Sequence, residues 1–153
     1  MDENNIISFY RSTDAYGCFT NFSWFKVHFK NHTFKTSEHA FQAFKFEHEQ
    51  KIFFQILNSK TASESKRIAH LNNDKKRKDW ETIKDQIMYE ICFEKFNQND
   101  HLKLILLDTG NLKIVESSEK DFYWGIGDGS GRNQLGITLM KIREDLRKLE
   151  NNF

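Results

Sequence analysis

The sequence predicts a mostly helical α+β fold with a small antiparallel β element. Apolar residues recur at helical spacing over residues 38–96 and again over 135–149. Two short runs of aromatic and β-branched residues, 24–29 and 33–35, flank the segment Lys30-Asn31-His32 and indicate a hairpin. A chain of 153 residues with 15 phenylalanines can bury a core without metals or disulfides, so we expect a single domain over residues 1–153.

Each of the other elements has its own local signal. Ile6 begins an apolar run typical of a short strand, and residues 11–21 form a turn-rich segment. Helices are expected where apolar residues recur every three or four positions, with Asp79 able to cap one of them. The expected elements are a strand at 6–10, helices at 38–57, 63–71, 79–96 and 101–107, a strand at 112–116, and a closing helix at 135–149.

Composition narrows the classes of function. The 23 basic and 22 acidic residues nearly cancel, so the overall charge indicates neither a nucleic-acid nor a membrane partner. Residues 1–5 lack the basic and apolar regions of a signal peptide, and no apolar run approaches the length of a membrane span. Cys18 and Cys92 are far apart, and the six histidines form no zinc-binding pattern. We expect a cytoplasmic protein with no metal, no cofactor and no obligate protein partner.

The most informative stretch runs from residue 36 to residue 46, where a Thr-Ser pair can cap a helix. Phenylalanines and alanines cover most sides of this helix, so it should be buried. Its polar residues fall within one narrow stripe: Glu38, Gln42, Lys45 and Glu49. The stripe faces either a cleft or solvent, and spacing alone favours the solvent-exposed face.

Two other segments are candidate phosphate contacts. The glycine-rich segment 125–133 precedes a helix, where backbone N–H groups can approach an anion, although a tight structural loop is the better explanation of the glycines alone. The basic run 75–78 is either a solvated connection or a phosphate contact. Trp80 and Trp124 lie at element boundaries, where a ring can pack in the core or stack on a planar ligand.

Taken together, these stretches resemble the YbiA-like or NADAR family of N-glycosidases. The resemblance covers nearly the whole chain, and the order and spacing of the pieces make it specific. The matching pieces are Ile7 to Tyr10, Tyr16-Gly17-x-Phe19-x-Asn21-Phe22, Thr36-Ser37-Glu38-His39-x-Phe41-Gln42-Ala43-x-Lys45-Phe46, Asp79-Trp80 with Lys84 and Met88, Lys95-Phe96, Leu106-Leu107-x-Thr109-Gly110, Val115-Glu116, Asp121-x-x-Trp124-Gly125-x-Gly127, and Asn133-x-Leu135-Gly136-x-x-Leu139-Met140-x-x-Arg143. The resemblance therefore favours a stripe that faces a ligand.

The resemblance implies a YbiA-like fold and hydrolysis of a bond between a ribose carbon and a nitrogen. It implies as substrates either early phosphoribosyl-amine intermediates of riboflavin synthesis or ADP-ribosylated guanine in nucleic acid. By resemblance, Glu38, Trp80 and Asp121 are the catalytic set, and Lys45 is a residue that some family mechanisms use covalently against an opened ribose. The substrate-binding residues implied with them are Asn21, Phe22, Gln42, Trp124, Gly125, Gly127 and Asn133.

These residue types suit the chemistry. Cleavage passes through an oxocarbenium-like sugar, so one carboxylate can offset positive charge while a second activates water or protonates the leaving nitrogen. We therefore expect folding to bring Glu38 and Asp121 to opposite sides of one pocket, with Trp80 stacked on the base. Lys45 must be partly neutral to attack an aldehyde; otherwise it orients Glu38 or binds a phosphate.

The chain departs from the family pattern at two places that bear on substrate identity. Phe34-Lys35 replaces the Trp-Pro that precedes the helix motif in many members, and Ala69-His70 replaces a Gly-Arg pair whose guanidinium could grip a phosphate. Arg67 or the basic run 75–78 could compensate. Two other functions stay open: a module that binds ADP-ribose or a related nucleotide without cleaving it, and a structural or interaction protein.

Overall fold

The computed structural model describes residues 5–152. Of residues 1–5, on which the signal-peptide prediction rests, only residue 5 lies among the described residues. The helices and strands confirm the mostly helical α+β prediction. In chain order they are β1 (Ile6–Phe9), β2 (Val27–Phe29), β3 (His32–Phe34), α1 (Ser37–Phe44), α2 (Gln50–Leu57), α3 (Ala62–Leu71), α4 (Trp80–Asn97), α5 (Asp100–Asp108), β4 (Lys113–Glu116) and α6 (Gln134–Asn151). Within residues 5–152, no helix combines the length and apolar character needed to cross a membrane.

The chain forms two compact units. Asn21–Gln98 makes up one of them, here called the central unit, and the segments before and after it make up the terminal unit. The central unit contains β2, β3 and α1 to α4, and the terminal unit contains β1, α5, β4 and α6. The expectation that residues 1–153 act as one domain stays a prediction.

The predicted hairpin is confirmed in the central unit. β2 pairs antiparallel with β3, with Val27 opposite Phe34 and Phe29 opposite His32. Lys30 and Asn31 both have positive φ, at 45° and 69°, as a tight turn between two twisted strands requires. β2 is shorter than the predicted 24–29, and β3 begins and ends one residue before the predicted 33–35.

The single helix predicted over residues 38–57 is wrong, because the structure has two helices separated at residues 45–49. In one straight helix, Phe44 and Phe53 would lie about 13 Å apart along the axis. The break lets α2 fold back on α1, so that these two rings pack at a centroid distance of 5.4 Å. Phe46, inside the break, is fully buried. Burying both aromatic faces against each other therefore favours two short helices over one long one.

The third and fourth helices of the central unit begin in different ways. Thr61 caps α3, since its Oγ1 accepts a hydrogen bond of 3.0 Å from the backbone N–H of Glu64. Asp79 precedes α4 as predicted, but its side chain does not cap the helix. Arg77 holds that carboxylate instead, with Nε donating to Asp79 Oδ1 at 2.7 Å. The predicted capping role of the Asp79 side chain is therefore wrong.

In the terminal unit, both predicted strands are present and pair with each other in parallel. Ile6 lies opposite Lys113, and Phe9 lies opposite Glu116. The first turn of α6 packs on β4 at Gly136, where a Cβ atom would collide with the Ile114 carbonyl oxygen. The sequence predicted both strands but not this pairing, which joins segments more than a hundred residues apart.

Candidate active site

Helix α1 is buried along its whole length. Thr36 caps it, with Oγ1 accepting a hydrogen bond of 3.1 Å from the backbone N–H of His39. His39 also links this cap to the loop after α2, because its Nε2 lies 3.1 Å from the carbonyl oxygen of Ser59. The first two residues of the polar stripe do not face solvent, since Glu38 is only 6% exposed and Gln42 only 4%. The solvent-exposed alternative is therefore wrong for these two residues.

The carboxylate of Glu38 is held by its neighbour one turn along the helix. Gln42 Nε2 donates a short hydrogen bond of 2.6 Å to Glu38 Oε1. This contact fixes the amide orientation, because a flipped amide would place two oxygens against each other. Gln42 Oε1 is then a buried acceptor without a hydrogen-bond partner in the described chain. Glu49, the fourth residue of the predicted stripe, lies in the break after α1 and is exposed.

Lys45 follows α1 as its C-terminal cap and lies between aromatic rings. Its Nζ is 5.5 Å from the ring centroid of Phe41 and 5.7 Å from that of Trp80. Burial lowers the pKa of Lys45 to about 8; the Glu38 carboxylate opposes this shift, and the positive charges of Lys76 and Lys66 add to it. A substantial fraction of this amine is therefore neutral near physiological pH.

Trp80 is buried and packs against α1. Its ring centroid lies 5.0 Å from that of Phe41, at an interplanar angle of 56°. The segment before α4 is tied to the end of α1, because the backbone N–H of Arg77 donates to the carbonyl oxygen of Lys45 at 2.9 Å. The central unit thus brings together four of the predicted site residues: Glu38, Gln42, Lys45 and Trp80.

Asn21 anchors the start of α1. Its backbone carbonyl accepts a hydrogen bond of 3.0 Å from the N–H of Glu38, and its Oδ1 accepts one of 2.8 Å from Ser37 Oγ. Its Nδ2 donates to the sulfur of Met88 on α4 at 3.4 Å. The Asn21 backbone therefore holds Glu38 and its side chain holds Ser37, while the predicted contact of Asn21 with substrate stays a prediction. The ring of Phe22, the next residue, is 37% exposed.

Asp121 lies in the terminal unit and organises the turn that carries Trp124. Its Oδ1 accepts hydrogen bonds from the backbone N–H groups of Tyr123, at 3.0 Å, and Trp124, at 2.8 Å. The other carboxylate oxygen has no hydrogen bond in the described chain, so it can accept one from a ligand. Trp124 is half-buried, with its ring centroid 4.9 Å from that of Tyr123.

The glycine-rich loop uses its backbone N–H groups within the terminal unit. Gly127 N donates to the Ser118 carbonyl oxygen at 3.0 Å, and Gly131 N donates to the Ile126 carbonyl oxygen at 2.8 Å. Gly125 has no room for a side chain, because a Cβ atom would collide with the carboxylate of Glu116. These contacts give the loop a structural role, and substrate binding by Gly125 and Gly127 stays a prediction.

Asn133 joins the end of that loop to β4. Its Oδ1 accepts a hydrogen bond of 2.9 Å from the N–H of Glu116, and its Nδ2 donates one of 2.9 Å to the carbonyl oxygen of Ile114. Its φ of 52° is a left-handed conformation that asparagine tolerates better than most residues. These contacts give Asn133 a structural role at the strand, and its predicted contact with substrate stays a prediction.

We expect Asn133→Leu to lower the free energy of unfolding by about 2–5 kcal/mol, because it leaves two buried backbone groups unpaired. Asn151→Leu, at an exposed position at the end of α6 in the same unit, should change it by less than about 0.5 kcal/mol. Urea denaturation of both variants measures the difference. Equal stability of the two variants would show that Asn133 does not hold the strand.

Lys95 is a site neighbour for which sequence reasoning found no role. It is buried in α4 at 1% exposure, and its Nζ donates to Ser23 Oγ at 3.2 Å. The sequence shows Lys95 as part of the matching piece Lys95-Phe96. Its burial could not be predicted, because a lysine on a helix is ordinarily exposed to solvent. Lys95 fixes the segment that carries Phe22.

The comparisons with known proteins show the family. The NADAR domain family model matches residues 8–147, which is nearly the whole chain. The chain belongs to the NADAR family. Among residues 5–152 of this NADAR protein, no group of three or more potential metal ligands occurs.

Two curated relatives and one solved structure show how close the similarity is. The chain is 39% identical to N-glycosidase YbiA of Escherichia coli K12 over 145 residues, covering 94% of this chain and 90% of that protein. It is 36% identical to the riboflavin biosynthesis protein VVA0006 of Vibrio vulnificus over 143 residues, covering 93% of this chain and 39% of that protein. The NMR structure of Escherichia coli YbiA matches with a TM-score of 0.90 at 36% identity, covering 100% of this chain and 91% of that one.

Proposed function

We propose that this NADAR protein is an N-glycosidase that hydrolyses the bond between a ribose carbon and a nitrogen in a phosphorylated ribosyl compound. The observation that carries the proposal is the buried Glu38 carboxylate, held by Gln42 at 2.6 Å in the same unit as Lys45 and Trp80. The match to the family and the relatives named as N-glycosidases support it.

Glu38 acts on the sugar in this proposal. Removal of the leaving nitrogen generates positive charge at the anomeric carbon, and a fixed carboxylate stabilises that charge without having to reorganise. Gln42 holds one oxygen of the carboxylate, which limits its rotation. The unpartnered Oε1 of Gln42 accepts a hydrogen bond from a sugar hydroxyl, which would satisfy the buried acceptor.

Asp121 supplies the second carboxylate. One of its oxygens orders the turn at Tyr123 and Trp124, and the other exchanges a proton with water or with the leaving nitrogen. The reaction needs one carboxylate to stabilise the positive charge on the sugar and a second to transfer a proton. In the terminal unit, Asp121 is the residue that matches the family motif.

Lys45 attacks C1 of an opened ribose. When the ring opens, C1 is joined to the base nitrogen as an imine; the neutral amine of Lys45 adds to C1, and the base nitrogen takes a proton and leaves with its bonding electrons. Water then hydrolyses the remaining Lys45 imine, which returns the amine and the sugar aldehyde. The lowered pKa of about 8 supports this role, because a lysine with an ordinary pKa of 10.5 holds almost no neutral amine at pH 7.

Two substrate classes are tested side by side. The purified protein is incubated with an amino-pyrimidine ribose phosphate of the riboflavin-pathway type and with an oligonucleotide carrying ADP-ribosylated guanine, and released base and sugar are measured by mass spectrometry. Cleavage of either substrate by the wild type supports the proposal. The name of the Vibrio vulnificus relative favours the first substrate.

Binding of either compound without release of base would identify a nucleotide-binding module rather than an enzyme. If the protein neither binds nor cleaves either compound, only the third alternative, a structural or interaction protein, would remain. We further propose that residues 1–153 work as one catalytic domain, which the family match over residues 8–147 supports, and that the protein acts in the cytoplasm.

Gln42→Met removes both polar atoms of this side chain and keeps its length. We expect kcat/KM to fall roughly 10- to 100-fold, because Glu38 loses a charge-assisted hydrogen bond and the sugar loses an acceptor. Gln55→Met, at an exposed position on α2, serves as the matched control and should retain wild-type activity. Wild-type kcat/KM for Gln42→Met would remove Gln42 from the site.

A further inference from the structure

We propose that Lys66 on α3, together with the exposed ring of Phe22, forms the subsite that binds the phosphate group of the substrate. This inference rests on the proposed function, since it names how the same site holds the charged end of its substrate. The sequence did not predict the contact between Lys66 and Phe22, because Lys66 is one of several lysines that lie on the surfaces of helices.

Phe22 lies at the surface between two buried residues. Asn21 and Ser23, on either side of it, are buried and hydrogen-bonded, through Ser37 at 2.8 Å and Lys95 at 3.2 Å respectively. Phe22 between them is 37% exposed. A large aromatic ring left exposed between two anchored residues is a surface that a planar or sugar ligand can cover.

The Phe22 ring is connected through Asn21 to the candidate catalytic residue Glu38, and it lies near Lys66. The carbonyl oxygen of Asn21, the residue before Phe22, accepts a hydrogen bond from Glu38 N at 3.0 Å in the first turn of α1. The Nζ atom of Lys66 lies 6.0 Å from the centroid of the Phe22 ring. Lys66 therefore places an ammonium group beside Phe22, which is the neighbour in sequence of the residue that contacts Glu38.

The positive charges of Lys45, Lys66 and Lys76 lie close enough to influence one another. Lys66 forms no ion pair with a carboxylate in the described chain, whereas Lys76 lies 3.5 Å from Glu81. Both ammonium groups nonetheless contribute to the lowered pKa of Lys45, so three lysines act on one another electrostatically. The carboxylates of Glu38 and Glu81 oppose this repulsion, and a bound anion would reduce it further.

A phosphate is the anion that suits these groups. Lysine binds phosphate as a mobile point charge, and the half-exposed ring beside it accommodates the sugar or base attached to that phosphate. Arg67, the next residue on α3, does not offer the same contact, because its side chain is 62% exposed and lies 3.9 Å from Glu64. Of these neighbouring cations, Lys66 is the one directed toward Phe22.

The test is equilibrium binding, measured by isothermal titration calorimetry on the full chain. The probes are ribose, ribose 5-phosphate and ADP-ribose, and the variants are Lys66→Met and its matched control Arg67→Met. We expect ribose 5-phosphate or ADP-ribose to bind wild type more tightly than ribose does. Lys66→Met should weaken that binding roughly 10- to 100-fold, as expected for one hydrogen bond to a charged group.

Arg67→Met should change the same affinity by less than a factor of about two, because its charge is exposed and paired with Glu64. Tighter binding of ribose 5-phosphate than of ADP-ribose would assign a phosphate monoester, and the reverse order a diphosphate. Equal losses in the two variants, no preference for phosphorylated probes, or no binding by any probe would overturn the proposal. Phosphate binding through Lys66 without base release would leave this inference intact while the proposed hydrolysis fails.

Discussion

Glu38→Gln is expected to lower the kcat for base release by about 10²–10⁴-fold, the range that a positioned catalytic carboxylate contributes. The substitution removes the negative charge that stabilises the oxocarbenium-like sugar but keeps the shape of the side chain. The amide oxygen of glutamine can still accept the hydrogen bond that Gln42 donates at 2.6 Å. The fold and the binding of substrate should therefore survive, and the loss should appear in kcat.

The control for this prediction is Glu49→Gln. Glu49 belongs to the same sequence stripe but lies exposed in the break after α1, so its variant should release base at the wild-type rate. Single-turnover kinetics on both variants, with circular dichroism as a check of folding, separates chemistry from stability. A Glu38→Gln variant with wild-type kcat would remove Glu38 from the reaction.

Lys45→Arg is expected to abolish the covalent adduct and to lower kcat/KM by at least about 100-fold. Arginine keeps the positive charge but stays protonated throughout the accessible pH range, so it cannot form an imine. In the wild type, borohydride reduces the imine to a stable secondary amine, and peptide mass spectrometry should locate the added sugar on Lys45. Lys51→Arg, at an exposed position on α2, should trap the adduct normally.

The pH dependence of trapping follows from the pKa of Lys45. Only the neutral amine attacks C1 of the opened ribose, so the rate of adduct formation should rise with pH and reach half its maximum near the pKa of about 8. An ordinary lysine would place that midpoint near 10.5. Substantial activity in Lys45→Arg without an adduct would assign Lys45 to orienting Glu38 or binding phosphate instead.

Local patterns predicted most of the helices and strands. The hairpin followed from Lys30 and Asn31 between two β-rich runs, and α3, α4 and α6 followed from apolar spacing with errors of one or two residues at their ends. The break after α1 could not be predicted in this way. It depends on Phe44 meeting Phe53, a contact between two helices that periodicity within one segment does not encode.

The candidate site was predictable in its residue types but not in its environment. The spacing of Glu38 and Gln42 placed them one turn apart, but spacing favoured solvent, while in the folded chain α1 is buried along its whole length. The sequence also cannot distinguish a ligand-binding asparagine from a structural one. Asn133 holds β4 with both ends of its side-chain amide because of a left-handed backbone conformation that only the structure reveals.

The proposed mechanism depends on both Glu38 and Asp121 acting on the same glycosidic bond. A double-mutant cycle of Glu38→Gln, Asp121→Asn and the double variant, read as kcat/KM for base release, tests it most directly. Asparagine at 121 can still accept the backbone hydrogen bonds of the Trp124 turn, so the cycle reports charge rather than folding. We predict that the double variant is about as slow as the slower single variant. Losses that multiply in full, as for two independent sites, would contradict the account.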